Sequence, residues 1–356
     1  MQFSKGQISR GSGRRNTFCL LGLLVLFTLI RFEVHPNSKR FIVTIIRSTV
    51  FPALRLRCLP RGSLPSQYTT FAITSLFLPR DGPDHWTEQD RAMVALSESN
   101  KLAFCARDLQ HKLRGGGPVG RQKCSYINGT AWATKHYNST KDHIGLNEIK
   151  SGERGVWFKP VYLDALINNP VSDFADGPMD WFLYMDSDTM IVNFNFRLHT
   201  LLAGVEPEDA LIISRDAGGI NSGVFILRNN ELGRIITKAW ISNVTAMTTM
   251  NDQDYLAQLF DKDTGYLCEK FMPRIGFTVY GSVTNTSGTV PRPRMKIIRQ
   301  CAMQSGGGLE RSQDGLWPHF EGTYARGDFA VHFFGRPDKL EQMKIVESGS
   351  LGFFSR

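Results

Sequence analysis

Beyond about residue 67, apolar and polar positions alternate in a way that predicts strands and helices in turn. Residues 68–78 are rich in β-branched and aromatic side chains and stop at Pro79, as a buried first strand would. A helical pattern starts at Thr87, where Thr87 and Asp90 have capping-box-like spacing, and it predicts Met93, Leu96, Leu102, Ala103 and Ala106 on the inward face. Residues 124–132 predict a second strand, and the polar stretch 134–155 a surface segment. Residues 156–167 predict a helix that packs Val161, Leu163, Leu166 and Ile167 inward. Lys159 falls near its start, where the helix dipole disfavours a cation unless it is engaged elsewhere; a solvated lysine is the plain alternative.

The run from Trp181 to Val192 is a buried strand interrupted by Asp186-Ser187-Asp188. On an extended backbone residues i and i+2 project to one side, so two carboxylates would stand together at a strand edge. Two hard oxygen donors suit Mn2+ or Mg2+, which also take ligands from substrate phosphates. A simple turn or helix cap explains the tripeptide equally well. Residues 196–202 predict a short helix and 210–214 another strand. In the following segment, 215–222, glycines allow close backbone approach, and Asn221 and Ser222 offer hydrogen bonds; a ligand-free β-turn is the competing reading. Residues 224–227 return to strand. Asn230 predicts a cap for a helix running to about residue 244, and Asn251-Asp252-Gln253-Asp254 open the next one, with more acid and amide groups than capping needs. Late strands are expected at 296–298 and 329–334, the latter carrying His332, either a core histidine or a metal ligand. Strands alternating with helices over 68–335 predict an α/β domain with a largely parallel sheet, which binds ligands beyond the carboxyl ends of its strands.

The net charge of +9 raises the question of nucleic acid. The excess lies in the first sixty or so residues, on both sides of an apolar run at 18–30, and the remainder is nearly balanced. Basic flanks beside an apolar segment read as membrane topology, and no zinc-finger or RNA-binding signature is present, so no nucleic-acid partner is expected. The expected layout is therefore a cytoplasmic tail at 1–17, a transmembrane signal anchor at 18–30, a basic stem at 31–66, the α/β domain at 67–345 and a tail at 346–356; a cleaved signal is the alternative to the anchor. Sequons at Asn128, Asn138, Asn243 and Asn285 agree with a luminal domain. Five cysteines follow the apolar run, for which Cys105 with Cys124 and Cys268 with Cys301 are plausible pairs that leave Cys58 over. Gly115-Gly116-Gly117-Pro118 is a loop and not a phosphate cradle, since no Lys-Ser/Thr follows.

Several blocks, in order, resemble the galactosyl and mannosyl transferases of glycosyltransferase family 34, Golgi type II membrane enzymes. They are Trp157-Phe158-Lys159, the run around Asp186-Ser187-Asp188, Arg215-Asp216 with Asn221-Ser222-Gly223-Val224-Phe225 and Leu227-Arg228-Asn229, Asp252-Gln253, and Gly327-Asp328-Phe329 through His332-Phe333-Phe334-Gly335. The resemblance implies a GT-A-type nucleotide-diphospho-sugar transferase fold, a Rossmann-like mixed sheet flanked by helices. It implies a UDP- or GDP-sugar donor, a glycan acceptor, retention of anomeric configuration, and Mn2+ or another divalent cation on Asp186, Asp188 and His332. Asp216, Asn221, Ser222, Gly223 and Arg336 would then line the donor, and Asp252, Gln253 and Lys159 would carry the chemistry. Asp252 would act as nucleophile or as oxocarbenium stabiliser. The resemblance also implies a Golgi address and leaves room for homo- or hetero-oligomers with other Golgi transferases. Ser187 and Ser222 are mild departures, Ser222 replacing a usual Thr, and Arg336-Pro337 replaces a Cys-containing continuation. Two other classes compete: a catalytically silent lectin-like or scaffold subunit, and a luminal phosphodiesterase or nucleotidyl enzyme, for which the chain has too few clustered His and Asp.

Overall fold

The computed structural model describes residues 60, 62–64, 69–79, 82–113, 122–143, 154–168, 179–216, 219–243, 248–268, 292–306 and 328–348. The chain divides into two compact units, Met1–Leu54 and Arg55–Arg356. The first unit, with the expected anchor and most of the basic stem, lies outside the described residues. Among the described residues no helix is long and apolar enough to cross a membrane.

The second unit is built on a six-stranded sheet of β1 (Thr69–Ser75), β2 (Gln122–Asn128), β3 (Trp181–Met185), β5 (Asp209–Asp216), β6 (Gly219–Arg228) and β7 (Arg294–Ile298). Their order is β2-β1-β3-β6-β5-β7. Pairings β1/β2, β1/β3 and β5/β7 are parallel, whereas β3/β6 and β5/β6 are antiparallel. The sheet is therefore mixed, as the family resemblance implied, and less parallel than the alternation of strands and helices alone predicted. Only two residues separate β5 from β6, too few for the crossover a parallel pair requires, so the pair closes as a hairpin.

Helices pack on both faces, joined on one of them by irregular segments, which explains why the strands read as unbroken apolar runs. Phe182 and Tyr184 of β3 and Phe225 and Leu227 of β6 face a core shared with α3 (Arg154–Asn168), α4 (Glu231–Ile241) and α5 (Asp252–Leu259). Trp181, Leu183 and Met185, with Val224 and Ile226, face the opposite core with Leu198, Leu201, Leu202 and Phe329. A second, three-stranded sheet joins β4 (Thr189–Ile191), β9 (Ala330–His332) and β8 (Ser305–Gly306) in the order β4-β9-β8. It packs Met190, Val192, Val331 and Phe333 against Met93 of α1 (Glu88–Leu113) and Met343 and Val346 of α7 (Lys339–Glu347). The expected late strand thus belongs to a separate sheet.

Caps follow the sequence closely. Thr87 N donates to Asp90 Oδ2 (3.1 Å) and Asp90 N to Thr87 Oγ1 (3.1 Å), a capping box with Asp in place of Glu. Asn230 Oδ1 accepts from Gly233 N, and Asn251 Oδ1 from Asp254 N. Two expectations fail locally. Asn128 ends β2 and caps α2 (Gly129–His143) by accepting from Ala131 N, so Trp132 is helical, and α2 occupies much of the expected surface segment. In α1, Leu102, Ala103 and Ala106 are exposed, while Ser97, Asn100 and Lys101 are buried, because this helix turns a polar face inward. The short helix expected at 196–202 is present as a 3-10 helix, Leu198–Leu202. Cys105 and Cys124 form a disulfide with Cα atoms 5.0 Å apart, tying α1 to β2. Cys268 carries a free thiol, so its expected pairing is not made.

Candidate active site

Asp186 follows directly on β3, and its N–H donates to Gly223 O (2.7 Å), continuing the β3/β6 pairing by one residue. Thr189 N donates to Asp186 O (3.1 Å), closing a turn over Ser187 and Asp188 before β4 begins. The tripeptide is therefore both the turn and the strand-end acid pair that the sequence offered as alternatives. Because Thr189 pairs with His332 across β4/β9, the turn delivers both carboxylates to the imidazole. His332 Nε2 lies 3.2 Å from Asp188 Oδ1 and 3.8 Å from Asp186 Oδ2, and one ligand atom from each of the three residues lies within 4.8 Å of the others.

His332 is buried, and its other nitrogen, Nδ1, donates to Gln304 Oε1 (2.9 Å), whose amide in turn donates to Ser214 Oγ (3.1 Å). That chain keeps Nδ1 as the donor and aims Nε2 at the carboxylates, so that Nε2 is the ring atom available to a cation. Gly223 makes the room: a Cβ there would lie 2.7 Å from His332 Nδ1 and closer still to Cε1.

Opposite this trio stands a second group. The β5/β6 register jumps from Ile213 opposite Phe225 to Ser214 opposite Asn221, so residues 222–224 bulge away from β5. Such bulges re-aim side chains, and here the bulge frees Ser222 from β5 and turns it toward the start of α5. Ser222 N donates to Gln253 Oε1 (2.9 Å) and Ser222 Oγ to Asp252 Oδ2 (3.2 Å), both partners being at the start of α5. Lys159, only 5% exposed, reaches Asp252 Oδ2 (3.0 Å), Ser222 O (3.2 Å) and Ser222 Oγ (3.1 Å), with Asp186 Oδ1 at 3.7 Å. Because α3 starts at Arg154, Lys159 lies in its second turn, clear of the dipole penalty expected for it, and two carboxylates hold it, so the solvated reading is corrected. Asn221 bridges the bulge, donating to Asp216 Oδ2 (2.6 Å) and accepting from Gly223 N (2.9 Å).

All the sequence-predicted residues except one meet here. Arg336 instead pairs with Asp338, Nε to Oδ1 at 2.8 Å and Nη2 to Oδ2 at 2.7 Å, and Lys339 three residues on holds Asp188 Oδ2 at 2.9 Å. Lys339 escaped sequence reading because a lysine opening a helix carries no pattern. Tyr184, whose hydroxyl donates to Asp186 Oδ1 (3.0 Å), was hidden in an apolar strand, and Gln304 in an unremarkable segment. Lys101, wholly buried on α1, contacts Ser97 Oγ, Thr189 O (3.1 Å) and Asp186 O (3.4 Å). Its only sequence signal was the i, i+4 spacing from Ser97.

Electrostatics differ across the cluster. Burial pushes the Asp186 carboxyl up, and Lys159 and His332 only partly offset it, so its pKa stays above the usual carboxylate range. Burial acts on Asp188 too, but His332 and Lys339 outweigh it and hold that carboxyl well below the range. Burial opposes the charge on Lys159, yet Asp186 and Asp252 raise its pKa above the ordinary lysine value. Burial wins at Lys101, whose pKa falls to about 7 against the pull of Asp188 and Asp186. Burial and the neighbouring Asp186 push the Tyr184 hydroxyl far up, so it remains a donor.

The mixed α/β sheet thus brings an acid–acid–imidazole trio, a group that could hold a metal ion, beside a lysine-bound carboxylate. Residues 205–336 match the model of the galactosyl transferase GMA12/MNN10 family, which bears out the family resemblance of the sequence blocks. The match contains Asp216, Asn221, Ser222, Gly223, Asp252, Gln253, His332 and Arg336, whereas Lys159, Asp186 and Asp188 lie ahead of it. No curated protein is significantly similar in sequence. Among solved structures, the chain is similar to a glycosyltransferase involved in glycosylation of the major capsid of PBCV-1, at 13% identity and a TM-score of 0.42, covering 79% of this chain and 99% of that one. It is also similar to mouse xyloside xylosyltransferase 1, at 10% identity and 0.36, covering 75% and 98%, respectively. A third is the galactosyltransferase LgtC in complex with donor and acceptor sugar analogs, at 10% and 0.31, covering 78% and 95%.

Proposed function

We propose that the protein is a metal-dependent, retaining, GT-A-type glycosyltransferase that moves a hexose or pentose from a UDP- or GDP-sugar to a glycan acceptor in the Golgi lumen. The observation that carries this is the junction of the two groups at Asp186, whose carboxylate faces His332 Nε2 at 3.8 Å and Lys159 Nζ at 3.7 Å. Cation chemistry and sugar chemistry would share one residue there.

The donor set fits a divalent cation: two carboxylates and an oriented imidazole suit Mn2+, and Gly223 keeps the imidazole in reach. Asp186, Asp188 and His332 would hold the ion, which when bound offsets the negative charge that grows on a departing nucleoside diphosphate. Asn221, Ser222 and Gly223 line the bulge against which a donor sugar would lie. Asp252 presents a carboxylate to the same space, with Oδ2 fixed by Lys159 and Ser222. A carboxylate bound this closely by an ammonium group is a poor nucleophile, which favours stabilisation of oxocarbenium character over a covalent intermediate. Lys159 also supplies positive charge on the leaving-group side. A silent scaffold has no need of these oriented groups.

The test is incubation of the full chain with UDP-galactose, UDP-xylose and GDP-mannose in the presence of Mn2+. Donor hydrolysis or transfer with one of them is expected, abolished by chelation and by Asp188→Ala. Inertness toward all three, together with absence of Mn2+-dependent nucleotide binding, would sink the proposal. Protease protection of Golgi vesicles tests the luminal address: the catalytic unit should be cut only after detergent.

A further inference from the structure

Strand β4 is the outer strand of the small sheet, with a free edge whose backbone groups need partners. A buried polar face of α1 supplies them. The Asn100 side chain accepts from Ile191 N (2.7 Å) and donates to Ile191 O (3.0 Å), acting like one residue of a neighbouring strand. One position on, Lys101 donates to Thr189 O (3.1 Å) and reaches Asp186 O (3.4 Å), while Ser97 Oγ one helical turn earlier holds its ammonium group. Asp186 O and Thr189 O are the two ends of the turn that carries Asp188. Ser97 and Lys101 are completely buried, as are Thr189 and Ile191. A buried charge this costly persists only where its partners fix it.

We propose that Lys101, seated by Ser97 and Asn100, is a positioning residue for cation binding, gripping the Asp186–Thr189 turn through its carbonyls so that both carboxylates meet His332. The inference rests on the metal reading above, but the grip on the turn is separate from it. Lys101 touches no carboxylate oxygen of the trio among its described contacts, so its action passes through the backbone.

Two effects of Lys101→Met have opposite signs. Removing a nearby positive charge by itself tightens Mn2+ binding, whereas losing the grip loosens it. The test measures Mn2+ affinity of the detergent-solubilised full chain by electron paramagnetic resonance, with amide hydrogen exchange at Thr189 and Phe333, whose N–H groups bond Asp186 O and Asp188 O. Lys101→Met is expected to weaken Mn2+ binding about tenfold or more and to speed exchange at both amides. Phe104→Leu, a buried change elsewhere on α1, should lower stability without altering Mn2+ affinity. Unchanged or tighter binding with unchanged exchange in Lys101→Met overturns the proposal, as does equal weakening in Phe104→Leu. Should Lys101→Met not fold, Ser97→Ala decides the matter by the same readouts, with a two- to threefold weakening expected and no change overturning it. If the wild type binds no Mn2+, the metal reading fails, and exchange at the turn still decides whether Lys101 grips it.

Discussion

Lys159 on α3 and Lys101 on α1 approach Asp186 from different helices, and both are buried, yet they meet different atoms of it. Lys159 faces the carboxylate and bonds Asp252 as well; Lys101 faces the main-chain carbonyl and bonds a second carbonyl and a hydroxyl. Carboxylates return more than burial takes, so the Lys159 pKa rises, while carbonyls do not, so that of Lys101 falls to about 7. Burial alone therefore does not tell a functional cation from a structural one. The partner does: Lys159 is countercharge for two acids of the candidate site, and Lys101 bonds the carbonyls of the turn.

The comparison breaks first at Lys159. Lys159→Met leaves Asp252 and Asp186 without their shared cation, and removing one partner of a buried pair costs about 3–5 kcal/mol. Urea denaturation should show a loss of that size, and donor turnover should fall by about a hundredfold or more. A variant as stable as wild type would mean that the acids are not charged together.

The next difference is in pH dependence, read with metal removed by chelator. The folded-state pKa of Lys101, about 7, lies below the unfolded lysine value, so between these values the unfolded chain binds the extra proton and stability rises with pH. From pH 7.5 to 9.5 the contribution is about 2–3 kcal/mol. Lys159, with its pKa raised, adds no slope in that window; its stabilisation is lost only as pH climbs through its own folded value above the ordinary one. Denaturation at both pH values in wild type and Lys101→Met isolates the difference. Equal slopes would remove the contrast between the two lysines.

How much of this was legible in the sequence follows the same line. Apolar strands and capped helices announced themselves, because Phe182, Val224 or Ile235 have one thing to do, which is to be buried. Asp186, Asp188 and Asp252 stood out as acids after strands or at helix starts, and family blocks supplied their companions. Lys101 and Gln304 could not be read, since each acts on a backbone or ring that only the tertiary fold brings near. Periodicity even misled in α1: counting apolar residues placed Leu102 inside, where the fold puts Ser97, Asn100 and Lys101. The antiparallel hairpin was legible only as the β-turn offered against the ligand loop; the structure makes that turn, and the bulge within it, which no pattern announced, sets Ser222 beside Asp252.

Gly223→Ala tests the cation side without touching either lysine. The added methyl meets the His332 ring, and overpacking of this kind costs about 1–3 kcal/mol. Relief by swinging the imidazole away would separate Nε2 from Asp188 and weaken Mn2+ binding, while contacts of Lys159 with Asp252 remain. A crystal structure of the variant with His332 unmoved and Mn2+ affinity intact would contradict the role assigned to this glycine.

The smallest effect is expected at Gln304, which reaches the acid trio only through the His332 ring. Gln304→Leu keeps the volume but withdraws the acceptor from His332 Nδ1, so nothing selects the tautomer with a free Nε2. Loss of such an outer partner weakens metal affinity about tenfold, roughly 1.4 kcal/mol, which titration with Mn2+ resolves. Unlike Lys101→Met, it should leave amide exchange at Thr189 unchanged, since Gln304 acts on the ring and Lys101 on the turn. If both variants loosened the turn equally, imidazole and turn would form one unit, and the separate role given to the α1 side would dissolve into it.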